Sequence, residues 1–551
     1  MAVWFDSNGG AGAGTSISDT RNTFTGFGTN AITESNCVLY IKAGSNFNIP
    51  TTITNQNGYT NNKIVIEKYG TGANPILHST TSASSLTGWT ECNAANAMAG
   101  TLTAQAGSNV WHKQGMGYAW LLGDAGTKAN PGTHWGQLRW DYTIAGEGSA
   151  PSEDYHIARV SIGGNEGTLF YGDDIPWTYY GGTYAQTLGS LFAITQPRGG
   201  FECYGIDFGH NTQYSIDISY GTYETLCAPV IISECNYEHT LGMRIGSLVT
   251  NRTNNTGTRG FIIEKCYAEN IGNCFVGTWG GNVAYNASHV FNNTHIRQNV
   301  VNGVCKRFSL GGIYLLNCRT NDGSKIKVYD NTVSDAMRDN VWPDGYAIYS
   351  DFSAQDIEFY RNYVWNSDLS FRNNGVAGDA RLYGNVAVAK TSAAADSSAF
   401  GSNDPNSVNL PANIELAYNV AVGFNRFAGY QDTAASSEFN IHHNVSIAKS
   451  GGTSTQHAID SRGPTGFTVD SNNFYGYAGK HWHDWDTGFD GATTDLSGSA
   501  TNKITSDPTA ALEPIILTPT DPTFNYALTL PKMDDWTTTP AYTSAPCFNP
   551  T

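Results

Sequence analysis

Charge is scarce in this chain. Of its 551 residues only 14% are charged, and 47 acidic residues against 30 basic ones leave a formal charge of −17. A general nucleic-acid binder needs a basic face to neutralise phosphates, so that class is excluded. No apolar run approaches the roughly 18 residues of a membrane span, which argues against membrane insertion. The opening residues, "MAVWFDSNGG", hold neither the charged nor the hydrophobic part of a signal peptide, so no export signal is expected on this chain. The phosphate-cradling GxxxxGK(S/T) and nucleophile-elbow GxSxG patterns are missing. Ten cysteines, at 37, 92, 203, 227, 235, 266, 274, 305, 318 and 547, form no CxxC pair and no zinc spacing, and scattered free thiols are expected.

What is plentiful points one way. Gly 61, Tyr 30 and Trp 13 accompany abundant Asn, Thr and Ser, a β-rich and turn-rich composition poor in helix formers. A phrase recurs within it. "KIKVYDNTV" is followed by "DIEFYRNYV", "DARLYGNVA", "NIELAYNVA", "EFNIHHNVS" and "GFTVDSNNF", which align asparagines at 331, 362, 385, 419, 444 and 472. Upstream, "HIRQNVV" adds Asn299, and "IISECNYE" and "IIEKCYAE" place Asn236 and Tyr267 in the same slot. Apolar residues stand five and three positions before each asparagine, as in Ile326 and Val328 or Ile357 and Phe359, the period of a strand with one inward face. A second strand signal lies between the phrases, in "GIYLL", "YAIYS", "LSFRN", "FAGYQ" and "AIDSR".

A unit of roughly 23 to 34 residues with about three short strands cannot close a core alone, whereas stacked copies bury a continuous apolar column. The expectation is an all-β parallel β-helix. Its asparagines would take the left-handed backbone of a tight corner and bond one another from rung to rung. A β-propeller has four-stranded blades, and a left-handed β-helix has a hexapeptide rhythm; neither pattern is present.

These corner asparagines resemble those of the right-handed parallel β-helix superfamily of pectate lyases, polygalacturonases and bacteriophage tailspikes. The likeness covers residues 200 to 480 well and implies a right-handed, single-stranded parallel β-helix with an asparagine ladder. The expected organisation is an N-terminal cap with the first coils over 1–87, a β-rich insertion over 88–196, the helix core over 197–480 and a C-terminal capping segment over 481–551. The catalytic signatures of polygalacturonases and pectate lyases are absent, so no family residue carries over.

Chemistry is expected on the outer face of the strands in the second set. Counted by parity from the inward Ile313, Ile348 and Phe371, the candidate catalytic residues are Tyr349, Asp351, Arg372, Asp432 and Asp460. Candidate substrate-binding residues are Arg244, Tyr430 and Arg462, with Arg338, Asp339, Trp342 and Asp344 from the loop "DAMRDNVWPDG". Aromatic faces stack on sugar C–H edges, while carboxylates and arginines fork onto hydroxyls or uronates. Hydrolysis needs two carboxyls about 5 to 9.5 Å apart, expected from Asp432 and Asp460 on adjacent rungs. β-Elimination needs Arg, Lys or Tyr as base, with Ca²⁺ or Arg neutralising the uronate. The histidines of "KHWHDWDTGFD" are expected in a capping or sugar-contact loop rather than a metal site.

The resemblance implies a tailspike-like depolymerase that binds and cleaves a bacterial surface glycan, located in a virion or extracellularly, as a homotrimer or with other virion proteins. A secreted bacterial polysaccharide lyase and a non-enzymatic, glycan-binding fibre or adhesin are the alternatives. No cofactor is expected beyond Ca²⁺ in the lyase case.

Overall fold

A computed structural model describes residues 1–34, 36–56, 63–82 and, apart from short connecting segments, 190–477. Elsewhere it describes only the strands Thr90–Glu91, Trp111–Lys113, Trp120–Leu122, Ile157–Val160, Thr168–Tyr171, Thr183–Ala185, Trp482–Asp484, Phe489–Gly491 and Ala500–Thr501.

Three long sheets run the length of the molecule, with 14, 13 and 12 strands, called here sheets A, B and C. One coil shows how they are made: Gly311–Leu316 lies in sheet B, Ile326–Tyr329 in A and Thr332–Ser334 in C, before Tyr346–Asp351 returns to B. Each strand pairs in parallel with its counterpart one coil away, so Ile326 meets Thr294 on one side and Ile357 on the other. A chain that returns to the same sheet in parallel after every turn is a parallel β-helix. Its hand is the right-handed one that parallel crossover connections favour. No helix occurs among the described residues.

The alternation seen in the sequence sets the inside. Ile326, Val328, Ile357, Phe359, Ala380, Leu382, Ile414, Leu416, Phe439 and Ile441 all join one continuous core from Val3 to Tyr477. Rings meet along it: Phe371 stacks on Phe400 at 5.1 Å and 8°, and Phe427 lies tilted against Phe400 at 5.1 Å and Phe474 at 5.2 Å. Burying each such side chain contributes roughly 1.5–3 kcal/mol, repeated rung after rung.

The asparagine ladder is present and continuous. Asn299, Asn331, Asn362, Asn385, Asn419, Asn444 and Asn472 follow one another, each Nδ2 donating to the next Oδ1 at 2.9–3.0 Å. Two expectations about it are corrected. The left-handed residue is the one before each asparagine: Gln298, Asp330, Arg361, Tyr418 and His443 have φ of 54–58°, and Gly384 has 62°. The asparagine itself stays out of that region so that its side chain can turn inward and satisfy carbonyls of the corner, as Asn331 does with Ile296 and Tyr329. In the two earlier coils the slot belongs to Cys235 and Cys266, not to Asn236 and Tyr267, which begin the next strand. The Cys266 N–H donates to Asn299 Oδ1 at 3.0 Å, and its thiol lies 4.0 Å from the Ile232 carbonyl, the counterpart of the carbonyl an asparagine would reach.

The first coils are already part of the helix, since Ala2–Phe5, Asn36–Lys42 and Lys63–Tyr69 stack in parallel beneath Phe201–Tyr204. Between Thr80–Ser82 and Phe192–Thr195 the coil is interrupted by strands that pair antiparallel, Thr183–Ala185 with Thr80–Ser82 and with Trp120–Leu122 among them. Phe192–Thr195 then resumes sheet B directly on Ile53–Thr54. At the far end Trp482–Asp484 adds one more parallel rung to sheet B, and Phe489–Gly491 folds back on it antiparallel.

Candidate functional site

Sheet B gathers several of the predicted residues into one line. Its pairing register runs Asp217, Arg244, Gly277, Tyr314, Tyr349, Arg372, Gly401, Gly429, Asp460 and His483, one residue per rung. Arg244, Tyr349, Arg372 and Asp460 therefore share one outward column, in which only Tyr349 and Arg372 stand on adjacent rungs. Inward parity belongs to Ile313, Ile348 and Phe371, which lie in the core.

Outward does not mean open along its whole length. Tyr314, Tyr346, Tyr349, Cys274, Leu316 and Leu369 form a second buried cluster on the outside of the sheet. Gly311 is required beneath it, because a Cβ there would stand 2.9 Å from the Tyr349 Cβ. Polar groups are embedded in this aromatic layer. Tyr314 Oη donates to Asp351 Oδ2 at 2.9 Å, and the Arg372 guanidinium lies 4.9 Å from the Tyr346 ring and 5.1 Å from that of Tyr349. Burial, reinforced by the Asp351 charge, pushes the Tyr314 hydroxyl well above its ordinary range, so it remains a donor. Asp351 is 4% exposed and Arg372 9%. These groups meet one another under cover instead of lining an open wall.

Past Arg372 the column changes character. The next two rungs present Gly401 and Gly429, and the third presents Asp460. Arg372 and Asp460 thus stand three rungs apart, about 14 Å at ~4.8 Å per rung, with no side chain between them in the column. A Cβ on Gly429 would meet only Arg426 Cδ at 3.6 Å and Ser398 Oγ at 3.7 Å, ordinary contacts. Glycine inside a strand sacrifices packing and chain entropy, and marks places where something approaches the backbone closely. Arg426 borders the far side, its Nε 2.7 Å from Asp460 Oδ2. The result is a glycine-floored trough bounded at one end by the covered Arg372 and at the other by the Arg426–Asp460 pair.

The remaining candidates separate from it. Arg244 is held by Asp217 one rung below, with Nε donating to Oδ1 at 2.9 Å and Nη2 pairing with Oδ2, and it caps the Tyr214 ring at 5.0 Å. The expected carboxyl pair Asp432 and Asp460 is not in register. Asp460 faces Gly429, whereas Asp432 faces Asp404. The side chains of Tyr430, Asp432 and Arg462 lie outside the described residues, as do Arg338, Asp339, Trp342 and Asp344 entirely.

Sheet A carries an arrangement that the sequence reading passed over. Tyr329, Tyr360 and Tyr383 occupy one outward column and stack at 4.7 Å and 6°, then 4.9 Å and 1°. Ion pairs flank the rings, each joining neighbouring rungs: Arg297 with Glu264, Lys327 with Glu358, Arg361 with Asp330, and Arg381 with Glu415. The signal was available. Each tyrosine sits two residues before a ladder asparagine, in "VYDN", "FYRN" and "LYGN".

No family model matches the chain, and no curated protein does. Among solved structures, a XylC complex with xylose shares 10% identity, covering 92% of this chain and 87% of that one, with a TM-score of 0.36. The tailspike gp61 of Pseudomonas phage phi297 shares 10% over 83% and 69%, with a TM-score of 0.22. The Gp54 tailspike of Acinetobacter baumannii bacteriophage AP22, in complex with A. baumannii capsular saccharide, shares 11% over 84% and 74%, with a TM-score of 0.19. At scores this low the fold rests on the strand pairing described above, not on these likenesses.

Proposed function

We propose that the chain binds an acidic polysaccharide across sheet B and cleaves it by β-elimination, as a tailspike-like depolymerase or a secreted lyase would. The observation that carries this reading is the pair of glycines, Gly401 and Gly429, set between Arg372 and the Arg426–Asp460 pair. A sugar ring can lie in van der Waals contact with the half-buried glycine backbone there, while the positive charge of Arg372 at one end and Arg426 at the other attracts a uronate carboxylate.

Geometry favours elimination over hydrolysis. The described carboxylates near the trough, Asp351 and Asp460, lie on strands four rungs apart, about 19 Å at ~4.8 Å per rung, beyond the roughly 5 to 9.5 Å of a hydrolytic pair. In elimination a base removes the proton next to the uronate carboxyl, the electron pair becomes a ring double bond, and the departing glycosidic oxygen takes up a proton. Arg372 is the candidate for base or carboxylate neutraliser, held in place by Tyr346 and Tyr349, with Asp351 fixed behind it by Tyr314. This reading assigns carboxylate neutralisation to arginine, Arg372 or Arg426.

The test is binding and turnover of polygalacturonate and alginate by Arg372→Ala and Gly429→Ala. The alanine methyl fits the folded chain, so unchanged melting with lost binding supports the trough. Full activity in both variants would remove the site from sheet B.

A further inference from the structure

We infer that the outer face of sheet A is a second ligand surface, one that takes an uncharged glycan strand, a class distinct from the uronate polymer proposed for the trough. Three observations meet there. The rings of Tyr329, Tyr360 and Tyr383 repeat at 4.7–4.9 Å along the rod, a regular aromatic row along which a polymer strand can lie. Tyr360 and Tyr383 are half-buried, so part of each ring meets solvent. Four basic side chains beside the rings are each matched by a carboxylate across a rung.

The matching of charge decides the ligand. Arg297, Lys327, Arg361 and Arg381 face Glu264, Glu358, Asp330 and Glu415 one for one, on a chain whose total charge is −17. An anionic sugar would have to break one of these pairs, and nucleic acid would find no net positive field. A protein partner would want an apolar interface centre, whereas here charges are interleaved with the rings. Sugar hydroxyls, by contrast, can add to the unused lone pairs and N–H groups of a fixed ion pair, while sugar C–H groups meet the solvent-facing edges of the stacked rings. The pairs are also held where a ligand can reach them, with side-chain exposures of 40% for Arg381 and 25% for Glu415.

The surface is rigid before any ligand arrives. Arg361 bonds both oxygens of Asp330 at 2.7 and 2.8 Å while lying 5.1 Å from the Tyr360 ring, and Arg297 Nη1 donates to Tyr329 Oη at 2.9 Å. Preorganised rings and ion pairs lose little freedom on binding, which is the main cost of holding a flexible polysaccharide.

Affinity electrophoresis of the full chain tests this, in gels containing hydroxyethylcellulose, glucomannan or galactomannan, with polygalacturonate as the charged comparison. Retardation by at least one uncharged polymer is expected, weakened about ten-fold by Tyr360→Ala and by Arg381→Met, with polygalacturonate binding unaltered. Arg381→Met keeps the aliphatic stem and decides the matter if Tyr360→Ala fails to fold. Wild-type retardation in folded variants, or no retardation of the wild type by any uncharged polymer, overturns the proposal. Loss of polygalacturonate binding in the wild type would instead count against the trough alone.

Discussion

Replacing Asn331 by alanine removes a junction in the ladder, and its cost can be worked out bond by bond. The amide donates to the carbonyls of Ile296 at 2.9 Å and Tyr329 at 3.0 Å and to Asn362 Oδ1 at 2.9 Å. Its oxygen accepts the Asn299 N–H at 3.1 Å and Asn299 Nδ2 at 2.9 Å. Asn299, Asn331 and Asn362 are at most 1% exposed, so water cannot replace these partners. Two donors on Asn299 lose their acceptor, at about 1–3 kcal/mol each, giving about 3–5 kcal/mol in all once relaxation is allowed. Asn299→Cys serves as the internal comparison. Cysteine already fills the slot at position 266, and the exchange deprives only the Cys266 N–H of its acceptor, for about 1–3 kcal/mol. Urea unfolding of the two variants measures both. A cost below about 1 kcal/mol for Asn331→Ala, or equal costs for the two, would refute the account of the ladder as a chain of obligatory partners.

Other outcomes follow from the same contacts. Glu415 is lowered from 4.5 to about 2, first by the His442 hydrogen bond and then by Arg381, against the opposing effect of burial. Because the folded value is the lower one, this carboxylate contributes stability above its ordinary 4.5 that disappears as pH falls toward about 2. Melting temperatures of Glu415→Gln should therefore show a flatter decline over that range than the wild type, and identical slopes would contradict the assignment. Arg244→Ala should lower the melting temperature, because it strands Asp217 beside the Tyr214 ring, yet leave polygalacturonate binding intact; reduced binding at unchanged stability would return Arg244 to the ligand site. The eight described cysteines form no disulfide and are buried, so a disulfide-exchange thiol reagent should label none of them before unfolding, and rapid native labelling of any would show the core to be open.

Much of the coil was legible because its physics is local and repeated. Ile326 and Val328 alternate with polar residues, and the same spacing at Ile357 and Phe359 fixes both strand and inward face. The exact slot was harder to place in "SECNYE" and "EKCYAE", since a buried cysteine can substitute for the ladder asparagine and draws no attention as a corner residue. Parity around Ile348 and Phe371 correctly put Tyr349 and Arg372 on the outer face. It could not show that Tyr314 and Tyr346 pack over that face and bury it, because this depends on neighbours from other coils. The two glycines of the trough were visible all along, in "AFGSND" and "FAGYQD", but only the pairing of Gly401 with Gly429 makes them a floor.

Ultraviolet absorbance of unsaturated sugar ends, followed while the chain is incubated with polygalacturonate, alginate and other uronic polysaccharides, reaches the central claim most directly. The account predicts rising absorbance with at least one of these polymers, abolished by Arg372→Ala and sharply reduced by Gly429→Ala at unchanged melting temperature. Absorbance that stays flat with every uronic polymer, or a Gly429→Ala variant that turns over as fast as the wild type, would contradict it.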